Sequence, residues 1–164
     1  MIHSISQIQE GILDCDGSCR DFNLISADRV AVSELVAWFY KRFQNISANG
    51  NDGLELSSES VLETIIGLSK SSYIQIVGEG PNFIIDKFQI FLCVTESGDI
   101  DVEITIFPQD IDAKNFDLDR FLGLINSWRT MANADEGYLR YENASWVHAD
   151  TSRGSGVIYV SKST

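Results

Sequence analysis

FQIFLCVTESGDIDVEITIFP, residues 88–108, alternates apolar and polar positions through both of its halves. In the second half Ile100, Val102, Ile104 and Ile106 fall on one side of an extended chain and Asp101, Glu103 and Thr105 on the other, the period of a strand with one buried face. Phe88, Ile90, Leu92 and Val94 form the matching row in the first half. Glu96-Ser97-Gly98 supplies a short loop between them, with Gly98 taking the left-handed conformation that a residue without Cβ adopts freely. That loop sets Val94 opposite Ile100, Leu92 opposite Val102 and Ile90 opposite Ile104, so both apolar rows face one core.

Working outward, Pro108 ends the hairpin and residues 109–115 form an acidic connector into a long amphipathic helix. Asp117 is its cap, Asp119 stands in its first turn, and Phe116 and Phe121 occupy staple positions. Leu118, Phe121, Leu122, Ile125, Trp128 and Ala132 recur at three- and four-residue intervals, which predicts a helix to about Asn133 with Trp128 in the core. Before the hairpin, residues 72–77 read as a strand and GEGPN as a turn. Residues 58–69 predict a helix capped by Ser57, with Leu56 and Val61 as a staple. Residues 44–53, QNISANGNDG, read as a polar surface loop. From Ser33, taken as a cap, a further helix carries Leu35, Val36, Phe39, Tyr40 and Phe43 on one face, with Trp38 at the rim of the core. Residues 1–25 read as one or two strands around DCDGSC, and 138–142 and 156–161 as two closing strands. The expected fold class is α+β, a single domain over residues 1–164: an antiparallel or mixed sheet with a central hairpin and three amphipathic helices packed mainly on one face.

The chain has 164 residues, enough to bury a core without disulfides. An N-terminus with neither a basic segment nor a long apolar run is expected of a cytoplasmic protein, as is the odd count of three cysteines. No metal site or cofactor is expected. Cys15 and Cys19 lack zinc-pair spacing, the two histidines His3 and His148 lie at opposite ends of the chain, and position twelve of a calcium loop begun at Asp14 would be Ile25. No nucleophile elbow or phosphate loop is present, and a Cys93–His148 pairing has no local signature, so no catalytic residue is assigned.

Charge placement is more informative. The formal net charge is −12, which excludes nucleic acid as a partner and favours a cationic one. Eight acids against Lys114 alone occupy 96–119. Two of them serve a helix end. Of the other six, Glu96 belongs to the hairpin loop, and Asp99, Asp101, Glu103, Asp110 and Asp112 are taken as candidate partner-binding residues; Trp146, in the long 143–155 connection, joins them as an aromatic of the kind enriched at interfaces.

The closing stretch GYLRYENASWVHADTSRGSGVIYV resembles the small cytosolic immunity proteins that bacteria encode beside polymorphic or contact-dependent toxins. The resemblance runs over about residues 88–160: hairpin, amphipathic helix, RYENASW and a Gly/Ser-rich turn into a last strand. It implies a protein that binds a cognate toxin tightly and blocks it; from the residues themselves no enzyme activity is expected, for want of a catalytic motif, and no membrane attachment, for want of a long apolar run. A basic toxin domain would suit the acidic charge. A small hydrolase or ligand-binding domain with its pocket unmarked in the sequence is the alternative, and that reading predicts no stoichiometric protein partner.

Overall fold

The computed structural model describes residues 3–80, 84–142 and 156–164. The hairpin is formed by Lys87–Val94 (β4) and Ile100–Ile106 (β5). Its register pairs Val94 with Ile100, Leu92 with Val102 and Ile90 with Ile104, as the loop length dictates, and Gly98 turns the chain at φ 93°. Around it lie Arg20–Ala27 (β1), Gln44–Gly50 (β2), Tyr73–Glu79 (β3), Glu136–Tyr141 (β6) and Val157–Lys162 (β7). The described residues form one seven-stranded sheet in the order β2-β3-β4-β5-β1-β6-β7, with every neighbouring pair antiparallel. β5, the most acidic strand, is therefore the middle of the sheet.

Directly paired residues share a face. The row Ala48, Ile76, Ile90, Ile104, Phe22 and Leu139 runs across six strands on one face, and each of these side chains is fully buried. Arg29–Arg42 (α2) and Leu118–Met131 (α4) cover that face. Trp128 of α4 and Phe39 of α2 meet at 5.1 Å between ring centroids, and Phe39 lies 4.5 Å from Phe88 of the hairpin. Trp128 is fully buried, and Trp38 packs edge-on against it from the rim. α4 begins as its sequence signals require: the Asp117 carboxylate accepts from the Arg120 amide, and the tilted rings of Phe116 and Phe121 pack with centroids 5.6 Å apart. Ser58–Gly67 (α3), capped by Ser57, packs on α2. The sheet also accommodates large rings by omitting side chains opposite them. A Cβ on Gly78 would stand 2.4 Å from the Phe88 ring, and one on Gly137 the same distance from Phe22.

Four expectations are corrected. Residues 5–13 are a helix (α1, Ile5–Leu13) and only Arg20–Ala27 is a strand. Ser4 and Gln7 close a capping box there, a helix-start signal that outweighs the irregular apolar spacing. α2 starts four residues earlier than its assigned cap. Asp28 accepts from the Ala31 amide, while Ser33 is buried inside the helix with its hydroxyl on the Val30 carbonyl. Residues 44–50 are the edge strand β2, because β3 supplies hydrogen bonds that a polar sequence cannot advertise. The described helices thus number four, with a short 3-10 turn at Pro108–Asp110.

Candidate functional site

No described helix packs on the other face of the sheet, and the side chains there alternate with the core rows. Asp21 and Asn23 come from β1, Glu103 and Thr105 from β5, Arg140 from β6, and the pairings Asn23–Glu103, Asp21–Thr105 and Asp21–Arg140 place them side by side. Arg140 Nε donates to Asn23 Oδ1 at 2.8 Å, and its Nη2 lies 3.6 Å from Glu103 Oε2 and 3.9 Å from Asp21 Oδ2. Asn23 Nδ2 in turn donates to Glu103 Oε2 at 3.0 Å, and Thr105 donates to Asp21 Oδ1 at 2.8 Å. Asp21 is buried. Burial first, and then the neighbouring Glu103 charge, push its carboxyl above the ordinary range, against the opposing pull of Thr105 and Arg140.

Beside this network, towards β3, the face turns apolar. Phe91 stacks on Tyr73 at 5.4 Å, and Cys93 lies between Tyr73 and Asp101 in the same cross-strand row. A depression of about 310 Å³ opens between them, bounded by Asn23, Ile25, Phe91, Cys93, Glu103 and Arg140. Burial, with the Asp101 and Glu103 charges, raises the Cys93 pKa, so the thiol stays protonated and is a poor nucleophile.

The acids singled out in the sequence separate into three places. Asp101 and Glu103 project from the middle of the helix-free face, Asp101 exposed and Glu103 about one-third exposed. Asp99 belongs to the hairpin turn, where it accepts from Ser97. Asp110 and Asp112 lie beyond the other end of β5, a strand length of ~20 Å away. Asp112 closes a turn of its own: hydrogen bonds from the Asn115 side chain and the Lys114 amide hold its carboxyl below the usual range. Trp146 and His148 lie outside the described residues. Asp21, Asn23, Phe91, Tyr73 and Arg140 are residues of this candidate face that sequence reading did not single out. Phe91 and Tyr73 carried a usable signal, since each is an aromatic at the solvent-side phase of a strand, where a polar residue is the rule.

Among the described residues no three His, Cys, Asp or Glu side chains group to hold a metal ion, and no helix is long and apolar enough to cross a membrane. Cys15, Cys19 and Cys93 are free thiols.

No protein-family model matches the sequence, and no curated protein matches it. Its fold is similar to that of a chain in the 1.75 Å crystal structure of the toxic C-terminal tip of CdiA from Pseudomonas aeruginosa in complex with immune protein. The TM-score is 0.56 at 12% sequence identity, over 88% of this chain and 94% of the other. At that identity the likeness is one of fold.

Proposed function

We propose that this protein is a cytoplasmic immunity-type protein that neutralises a cognate toxin by direct binding, without catalysis, and that its acidic surface is matched to a basic toxin domain. The likeness of fold to a chain from a toxin–immune protein complex, spanning nearly the whole length of both chains, carries this reading. The sequence resemblance over residues 88–160 and the net charge of −12 point the same way. A polar network locked by hydrogen bonds, next to exposed aromatic surface, suits a rigid binding face better than a reaction centre, because its one strongly buried acid is already engaged by Thr105 and Arg140.

The experiment is co-expression with the toxin domain encoded beside this chain. Restored growth of cells carrying an active toxin, together with recovery of a stoichiometric complex from an inactivated one, is the expected result. Failure to protect and failure to co-purify would remove the proposal and leave a small-molecule site as the reading to pursue.

A further inference from the structure

We infer that the partner docks on the helix-free face of the sheet, over the Tyr73–Phe91 pair and the acids of β5, and seats a cationic side chain with apolar flanks in the depression beside Glu103. This inference rests on the toxin-binding reading and specifies where and by what chemistry that binding occurs.

Three features carry it. The face is mixed in character: Tyr73, Phe91, Cys93 and Ile25 adjoin Asp101 and Glu103, the combination of aromatic anchor and charge that marks interface centres. An antiparallel sheet face that meets only water is mainly polar. Around the depression, among the described residues, the acids Asp21, Asp101 and Glu103 outnumber the base Arg140, which favours a cationic side chain. The Glu103 carboxylate is held in place through Oε2 by Asn23 and Arg140, while its Oε1 has no hydrogen bond among the described residues. A carboxylate fixed by its neighbours loses little freedom on receiving a lysine or arginine, so the ordering cost of binding is small.

Size agrees with this role. From β2 to β1 the face spans four strand spacings, ~19 Å, and each strand runs ~20 Å, giving ~400 Å² or about half of what one partner contributes to a standard interface. It is the centre of an interface rather than its full extent. Addition of a partner strand at the β2 edge is disfavoured, because the chain itself folds back there: Leu56 donates to the Ala48 carbonyl at 2.8 Å and Asn49 bridges to Glu55.

The test is calorimetric titration of the inactivated toxin domain encoded beside this chain with Tyr73→Ala, with the pair Asp101→Asn and Glu103→Gln, and with the pair Glu59→Gln and Glu63→Gln. The last pair makes the same charge change on the exposed side of α3, in the opposite layer. Each face variant should lose about 30-fold or more in affinity, as interface centres do, and the α3 pair less than about 3-fold. Gln75→Arg guards against a folding artefact. Gln75 pairs with Phe91 on the same face, and an added cation there removes no packing but repels a cationic partner, so binding should weaken in a protein that melts like wild type. If the face variants and Gln75→Arg bind like the α3 pair, docking on this face is overturned while toxin binding stands. If wild type itself does not bind, the functional reading falls and this inference with it.

Discussion

Arg20 and Asp21 are neighbours on β1, and because successive strand side chains leave on opposite faces they meet opposite surroundings. Arg20 points into the core layer, fully buried, where its guanidinium donates to the carbonyls of Gly11, Asp14, Ser18 and Cys19 and lies 4.2 Å from the centre of the Tyr141 ring. One planar fork thus ties the end of α1 and the 14–19 turn to the sheet. Arg20→Lys keeps the charge and loses most of those donors, and it should cost about 2–4 kcal/mol in denaturant melts, far more than a conservative exchange on the surface. Asp21 points the other way, buried beside Glu103 with its carboxyl pKa raised. A carboxylate whose folded pKa lies above its unfolded value binds protons more tightly when folded, so its contribution to stability is present at low pH and declines as pH rises from about 4 through the raised value. Asp21→Asn keeps an acceptor for Thr105 and removes that titration. The stability of the variant relative to wild type should therefore improve between pH 4 and pH 7, as read by urea melts at the two values. A difference independent of pH would mean that Asp21 ionises as freely as it does in the unfolded chain.

Among the elements, α4 shows how local signals and packing combine. Its cap and staple are properties of adjacent residues, and they are realised as Asp117 to Arg120 and Phe116 against Phe121. Asp117→Ala should cost about 1 kcal/mol by leaving the Arg120 amide without its acceptor, whereas Trp128→Ala should cost about 3–5 kcal/mol by opening a cavity at the junction of Phe22, Trp38 and Phe39. Equal losses in chemical denaturation would contradict that division of roles. α2 and β2 show where local signals mislead. Asp28 and Ser33 are both competent caps, and burial of Val32 chose the earlier one by drawing another turn of helix onto the sheet. β2 has only Ala48 fully buried, so its alternation is too sparse to mark a strand.

At the scale of the whole molecule, the acids act by position. Asp110 and Asp112 lie beyond the end of β5, so neutralising them to Asn should slow association with a cationic partner at low salt and flatten its salt dependence, with little effect on dissociation. Asp101→Asn with Glu103→Gln should slow association and speed dissociation as well, since those side chains stand on the proposed docking face. Stopped-flow traces at two salt concentrations separate the two outcomes, and identical rates for both variants and wild type would leave the acids a role in solubility alone. The sequence by itself determined the hairpin and its register, the helix 118–131 with its cap, and the burial of Trp128, because each depends on the two-residue period of a strand, the 3.6-residue period of a helix, or side chains a few positions apart. Tertiary structure decided the rest. It placed β5 in the middle of the sheet, gave a polar segment a partner strand at the edge, divided the acids between a sheet face and the two ends of a strand, and brought Arg140 to Asp21, Asn23 and Glu103. These are contacts between residues as far as 119 positions apart, and their register is set by the burial of the opposite face, which no local pattern records.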